Sequence, residues 1–441
     1  MAAVLTFAFA PALVKEQPNA ILSLQILAPT IFLSGFLAIY RGYLQAYKTM
    51  IPTSISQIIE QIANAVVSVL AAYLMSRPFV PGTSEHAKYG AAGSAMGTGA
   101  GVLCGIIYIL IAYAGRRKEI METVESDVSS NVESYGKLFR QIVMIVTPII
   151  IAAFVYNITT TVDMKIFYNV LNSKNVDRVE SANLYGIFSG QYMVLINLPV
   201  SIASAVGTTL IPNISGAFTK GDKAETNHVY NQSMSITMMV TIPCAVGIGV
   251  LSEPIITLLF RGADPLVFKA LTAGCISVVF YSLSTLTNSI LQGIGKVMEP
   301  VKNATLALLI HLIFLAAILK FTDAKLFGLV AATILYSLLA CIFNHISVSK
   351  YMSTKLDVKK IYLAPAVASI FMGIVAWGSY QIFYHLIHMN LVSVVLAILL
   401  AVIFYAAAIL AVGGYTKEEI LAMPKGTLIL KLAEKLHLVR E

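Results

Sequence analysis

The sequence predicts an all-α polytopic membrane protein built as a duplicated helical bundle, two pseudo-symmetric lobes of which the first is incomplete. Three observations carry that reading. The 441 residues are 58% hydrophobic and only 12% charged, where soluble domains are about a quarter charged. Apolar runs of about 20 residues, the length an α-helix needs to cross a hydrocarbon core, recur along the whole chain. A short motif also occurs twice: Leu44-Gln45-Ala46-Tyr47-Lys48-Thr49-Met50-Ile51-Pro52, and Leu291-Gln292-Gly293-Ile294-Gly295-Lys296-Val297-Met298-Glu299-Pro300. Each copy ends one apolar run and opens the next, as expected of a duplicated bundle. Facing repeats around a central site are a common way to build a transporter.

Taken in order, twelve spans are expected, the first incomplete. They lie roughly at 1–14, 20–44, 52–76, 90–114, 141–166, 184–214, 232–259, 268–292, 300–319, 326–349, 361–384 and 390–412. They group into an incomplete first lobe over 1–114, a charged, Ser-rich cytoplasmic inter-lobe loop over 115–139, and a second lobe over 140–350. Two further helices follow over 351–415. A cytoplasmic tail over 416–441 mixes Leu and Ile with Lys and Glu, the pattern of an amphipathic helix on the membrane surface. Proline at 52 and 300 sits where a helix begins, a position that tolerates it.

Charge sets the orientation. The even-numbered loops and the tail hold twenty Lys and Arg, and the opposite loops hold nine; Lys165, near a span end, completes the thirty. Positive residues collect inside, so both Leu-Gln…Pro corners and the C-terminus are expected on the cytoplasmic side. The same bias accounts for the basic excess, and no nucleic-acid partner is called for. Cys104, Cys244, Cys275 and Cys341 all lie in apolar runs. None pairs at disulfide or metal-ligand spacing, so neither metal nor cofactor is expected. No Ser-His-Asp, paired-carboxylate or metal-ligand constellation is visible either, and the chain does not read as an enzyme.

Polar residues at membrane depth are expensive and are candidates for function. Gln57, Glu60, Gln61 and Asn64 follow helical spacing and are expected on one polar face, toward water, partner groups or an interhelical hydrogen-bond seam. Arg41, one turn before Gln45, faces a cavity or snorkels to the surface. Asp163 and Lys165 are separated by about 200° on a helix. Asp163 is expected toward a cavity and Lys165 away from it. Asn157, Thr159, Thr160 and Thr161 precede them. Gln191, Tyr192 and Asn197 lie before Pro199, which is expected to kink its helix and free a carbonyl for them. Gln292 is the repeat counterpart of Gln45. Substrate-binding candidates are therefore Arg41, Gln57, Glu60, Asn64, Asp163, Gln191, Tyr192, Asn197 and Gln292. Gly93, Gly97, Gly101 and Gly105 fall at every fourth position, without the strand and Gly-Lys-Ser/Thr of a phosphate loop. They are expected to let two helices approach closely. His311 and His345 stand alone in their spans and read as hydrogen-bonded packing residues.

These residues together resemble a known family. Ile51-Pro52-Thr53-Ser54-Ile55-Ser56-Gln57-Ile58-Ile59-Glu60-Gln61-Ile62 is similar to a signature of polysaccharide-biosynthesis and stage V sporulation protein B-like exporters. Tyr185-Gly186, Gly190-Gln191, Leu198-Pro199, Thr209 to Ser215, and the tail segments Tyr415 to Glu419 and Pro424-Lys425-Gly426 resemble the same family. More distant resemblance extends to lipid II flippases and multidrug extrusion antiporters of the same superfamily. The resemblance implies fourteen spans in two six-helix lobes plus two extra C-terminal helices, alternating access, membrane lipids as surroundings, and a lipid-linked glycan or undecaprenyl-pyrophosphate substrate, with a coupling cation as a candidate partner. Arg41, Lys48 and Lys296 are the cations available to phosphate. Two departures follow. Asn64 stands where the family often has Arg, so a four-residue pair with Glu60 is absent. Met193-Val194 replaces a cationic position of Gram-negative lipid II flippases. Both favour a lipid-linked oligosaccharide over lipid II itself. The alternatives are a cation-coupled multidrug antiporter, which needs an embedded carboxylate cluster and an aromatic cavity and for which Asp163 and Glu60 are the only deep carboxylates, and a non-transporting scaffold in wall or spore assembly. Counting spans before each motif copy, the first lobe lacks two helices and the start of a third. The chain is therefore expected to be N-terminally truncated.

Overall fold

The computed structural model describes residues 2–13, 18–46, 51–126, 134–352 and 356–414, and all regular structure among them is helical. The C-terminal tail, Lys48 and part of the inter-lobe loop lie outside the described residues. The chain divides into two compact units, Met1–Ser134 and Tyr135–Glu441.

The first unit holds α1 (Ala2–Leu13), α2 (Ile21–Ala46), α3 (Ile51–Ser76) and α4 (Ser84–Glu125). Its organising contact is α3 against α4. A methyl group built on Gly97 would lie 2.5 Å from the backbone nitrogen of Ser68, and one on Gly101 would lie 2.6 Å from the carbonyl oxygen of Glu60. No side chain fits there, so the glycine stripe is the surface on which α3 lies. Small contact residues compensate for the missing water-driven force between helices in lipid. A second layer, Leu37, Leu44, Val102 and Ile109, packs α2 onto α4. α4 runs eleven residues beyond the expected end of its span. The sequence Arg116-Arg117-Lys118-Glu119 contains no breaker and consists of good helix formers, so the charged segment expected as loop begins as helix.

In the second unit, α5 (Tyr135–Ser173) precedes α6 (Arg178–Ile187) and α7 (Met193–Thr219). A π-helical turn, Phe188–Tyr192, joins α6 to α7. α7 runs through Pro199 and Pro212; the irregularity expected at Pro199 lies upstream, at the π-turn, where Met193 N–H reaches back to Phe188 O. α8 (Lys223–Val250) and α9 (Ser252–Leu259) divide what reads in sequence as one span. Pro254 has no N–H to offer the carbonyl four residues earlier, at Val250. α10 (Pro265–Gly274) and α11 (Ile276–Gly293) meet at a 49° bend. There the Gly274 carbonyl is taken by two hydroxyls, Ser277 at 2.6 Å and Tyr192 at 3.3 Å. α12 (Met298–Phe321), α13 (Lys325–Tyr351), α14 (Ala364–Ile387) and α15 (Asn390–Ala411) complete the unit.

The two largest buried clusters among the described residues hold most of these helices. One gathers Phe167, Tyr192, Ile196, Leu271, Leu315 and Leu329; the other gathers Tyr230, Met234, Met238, Ile290 and Leu291. α14 packs on α8 and α15 through Leu251, Met372, Ala376 and Ala401. Among the described residues nine helices are long and apolar enough to cross a membrane, ten if the bent pair is one span. That is fewer than the twelve expected. α1 has only 12 residues, and α5, with 39 residues, includes side chains outside the described set.

The two motif copies have the same local design. Leu44 and Leu291 are fully buried, Gln45 and Gln292 are exposed, and Pro52 and Pro300 fall in the first turns of α3 and α12. In the second copy Gly295 adopts φ +77, a left-handed turn that suits glycine.

Candidate functional site

In each unit the sequence candidates meet at a polar cluster assembled from several helices. In the first, α2 delivers Arg41 to α3. Its guanidinium donates to Glu60 Oε2 at 2.7 Å and to Ser56 Oγ at 2.7 Å. Ser56 in turn reaches Gly105 O on α4 at 3.3 Å. The Arg41 and Glu60 side chains are 15% and 20% exposed, so the pair is only partly screened by solvent. Gly105 is part of the same arrangement: Arg41 Nη2 lies 3.4 Å from where its Cβ would be.

The polar face expected of Gln57, Glu60, Gln61 and Asn64 is split. These positions span about 100° of helix, and α2 and α4 cover only one edge. Glu60 and Asn64 lie on the covered edge, Asn64 accepting from Ser68 at 2.9 Å. Gln57 and Gln61 are exposed. Glu60 has an arginine partner after all, supplied across helices by Arg41 and not from position 64. Arg41 is therefore ion-paired in this arrangement, where sequence left open a free cavity residue or a snorkelling one. Lys296, the other described cation offered to phosphate, lies over the Tyr351 ring at 4.8 Å.

The second cluster lines a cavity of about 300 Å³. α5 contributes Thr159, Thr160 and Asp163; α6, the π-turn and α7 contribute Tyr185, Ser189 and Asn197; α11 to α13 contribute Tyr281, His311, Thr333 and Tyr336. Asp163 Oδ1 lies 2.7 Å from His311 Nε2, and His311 Nδ1 lies 2.8 Å from Ala332 O. Asp163 is 6% exposed and His311 2%. Tyr185 donates its hydroxyl to Thr160 O at 3.0 Å, which fixes one aromatic wall. Lys165 is exposed, on the other side of its helix from Asp163, as the 200° separation requires.

Of the sequence candidates, Asp163 and Asn197 therefore share the cavity. Tyr192 does not. It is fully buried against Gly274, whose absent side chain leaves room for its ring; a Cβ there would meet Tyr192 Cζ at 2.7 Å. Gln191 is half-buried beside it, with an Oε1 that has no hydrogen-bond partner among the described residues. Gln292 is exposed at the α11 terminus.

Two features escaped the sequence reading. His311 reads alone as a packing residue, because its partner is 148 positions away and no local spacing joins them. A polar seam also crosses α11, α12 and α13. Asn303 donates to Asn344 Oδ1 at 3.0 Å and to Ser347 Oγ at 2.8 Å, and Asn344 donates to Asn288 Oδ1 at 2.7 Å. A signal existed there: three asparagines inside apolar helices are costly at membrane depth unless paired. Among the described residues no group of three metal-ligating side chains converges.

The family model described as lipid II flippase MurJ matches residues 1–396. The chain belongs to that family. The lipid II flippase MurJ of Bacillus subtilis (strain 168) is 26% identical over 355 residues, covering 77% of this chain and 63% of that protein. Stage V sporulation protein B of the same organism is 20% identical over 365 residues, covering 82% of this chain and 68% of that protein. The chain thus spans about two thirds of the length of these MurJ-family and sporulation relatives. A solved lipid II flippase MurJ in an inward closed conformation superposes with a TM-score of 0.60 at 20% identity, over 92% of this chain and 79% of that one. An inward-facing multidrug transporter of the MATE family superposes with a TM-score of 0.59 at 14% identity, over 80% and 78%. At these identities the two structures speak for the fold alone. They place the MurJ-family chain within the architecture shared by flippases and extrusion antiporters.

Proposed function

We propose that this chain carries the headgroup of an undecaprenyl-pyrophosphate-linked glycan, lipid II foremost, across the bacterial cytoplasmic membrane by alternating access of two helical lobes. Membership of the MurJ family is the observation that carries the reading, and it moves lipid II ahead of the other lipid-linked glycans. The cavity of the second unit supports it chemically. Its hydroxyls, amide and aromatic rings offer donors, acceptors and stacking faces suited to a sugar headgroup, inside a unit otherwise made of apolar helices. The cytoplasmic placement of both Leu-Gln…Pro corners and of the C-terminus rests on the basic-residue asymmetry. The candidate substrate contacts are Asn197 and the Tyr and Thr hydroxyls beside it.

The test is binding by the purified chain in lipid nanodiscs. Lipid II, an undecaprenyl-pyrophosphate glycan of different sugar composition, and a hydrophobic drug cation are the three probes. Saturable binding of lipid II is expected, weakened about tenfold, or about 1.4 kcal/mol, by Asn197→Leu. Binding of the drug cation with neither lipid-linked glycan competing would reject the proposal in favour of an extrusion antiporter.

A further inference from the structure

The second motif copy carries its lysine to a pocket that the proposed transport cycle does not use. Gly295, at φ +77, turns the chain so that Lys296 N–H reaches back to Leu291 O at 2.8 Å. Beyond that turn the Lys296 ammonium lies 4.8 Å from the centre of the Tyr351 ring, and the Lys350 ammonium lies 5.5 Å from the same ring. One tyrosine is thus shared by two cations. Tyr351 is also part of the wall of a pocket of about 370 Å³. The end of α7 and the turn after it contribute Phe218 and Gly221 to that wall, α8 contributes Lys223, Thr226 and Asn227, and Met352 follows Tyr351.

Among the described residues no ion pair joins Lys223, Lys296 or Lys350 to a carboxylate. Asp222 accepts from the backbone amides of Ala224 at 3.1 Å and Glu225 at 3.0 Å. The first turn of α8 is therefore closed by its own cap, and its amides are not the anion donors here. Glu299 pairs with Lys302 at 3.0 Å, with the Tyr351 hydroxyl beside it. Glu225 is exposed and does not line the pocket. Thr226 turns its hydroxyl back to Asp222 O at 2.6 Å. Lys223 and Asn227, four residues apart, lie on one face of α8.

We infer that this pocket binds a phosphate ester, with Lys223, Lys296 and Lys350 around the phosphate and Phe218 and Met352 against the ester's less polar body. Ammonium groups gathered without counter-charge repel one another. A phosphate monoester carries about two negative charges and three acceptor oxygens, so it offsets three lysines better than a single carboxylate does. Lysine binds phosphate as a point charge, and the Asn227 amide adds a donor beside Lys223. The ligand would join the α7–α8 turn to the α11–α12 corner and the end of α13, on the side that the charge asymmetry assigns to the cytoplasm. The pocket shares no lining residue with the cavity proposed for the glycan headgroup, so the inference stands or falls independently of whether lipid II binds. An anionic phospholipid headgroup and a soluble phosphate ester both carry this chemistry.

Two probes distinguish the sources, both with the full chain in phosphatidylcholine nanodiscs. Spin-labelled phosphatidylglycerol reports lipid binding as an immobilised spectral fraction, and radiolabelled adenosine 5′-monophosphate in equilibrium dialysis reports a soluble ester. Lys223→Gln, Lys296→Gln and Lys350→Gln are combined in one variant. Arg116→Gln, Arg117→Gln and Lys118→Gln are combined in a second, which removes the same charge from α4 on the same expected side. Thermal unfolding verifies that both fold. Saturable binding of at least one probe is expected, weakened about tenfold or more by the pocket variant and held within about twofold by the α4 variant. Binding of phosphatidylglycerol alone assigns the site to lipid, and binding of the nucleotide, with or without the lipid, assigns it to the phosphate ester itself. Saturable binding of neither probe overturns the inference. So does a pocket variant that binds as the wild type does. Equal weakening by the two variants also overturns it, in favour of general attraction of anions to a basic surface.

Discussion

Arg41 and Glu60 show how a charged residue is retained inside an apolar unit. A guanidinium taken from water costs several kcal/mol unless it is paired and hydrogen-bonded, and here Glu60, Ser56 and the Gly105 carbonyl form one connected set. Glu60→Gln is expected to destabilise the protein by about 1–3 kcal/mol, because it leaves Arg41 with a hydroxyl and a neutral amide in place of a carboxylate. Replacing both members, Arg41→Met with Glu60→Leu, is expected to recover most of that loss. Thermal unfolding in detergent measures both; equal loss in the single and double variants would show that the pair is not the source. Tyr192 is a second test at this scale. Tyr192→Phe removes a buried hydroxyl that bonds the Gly274 carbonyl and Ser277 Oγ, at a cost of about 1 kcal/mol. Lipid II affinity is expected to stay unchanged, since the ring lies in the core and not on the cavity. A selective fall in affinity without a fall in stability would return Tyr192 to the binding site.

At the scale of elements, the α3–α4 pair depends on absent side chains. Gly97→Leu is expected to push the helices apart and destabilise the first unit by about 1–3 kcal/mol or more, the usual cost of overpacking. Gly115 lies on the same helix, and a methyl group added there would meet nothing within 4 Å. Gly115→Ala is expected to be neutral or stabilising by about 0.5–1 kcal/mol through helix propensity. Unfolding midpoints of the two variants give the comparison, and similar shifts for both would rule out the close-approach account. The irregular elements of the second unit follow the same logic in reverse. The π-turn at Phe188–Tyr192, the break before Pro254 and the bend at Cys275 are places where side-chain hydroxyls, a ring or a proline replace the regular backbone partner. The π-turn sets Tyr185, Ser189 and Asn197 along one wall of the cavity.

For the whole molecule, the positive-charge asymmetry makes a topological prediction. A reporter domain fused after Gly295 is expected to be active only in its cytoplasmic form. The fusion site is a left-handed turn with φ +77, between α11 and α12. An extracytoplasmic signal would invert every loop assignment and place the C-terminus outside.

Composition and the recurrence of apolar runs were enough to determine the all-α membrane class, because lipid leaves the backbone few other choices. The glycine period was legible for a similar reason: a one-helix pattern with period four specifies a face, and its packing needs no knowledge of the partner. Asp163 was recognised as a candidate since a carboxylate at membrane depth is conspicuous alone. What it pairs with was settled only by tertiary structure. His311 is 148 positions distant, and helical spacing constrains neighbours within a few turns and nothing beyond. The same limit explains Arg41 and Glu60, 19 positions apart on successive helices, and the division of the Gln57 to Asn64 face. Sequence sets which side chains share an arc of helix; the neighbouring helices decide how much of that arc is covered, and therefore which residues become core, cavity wall or surface.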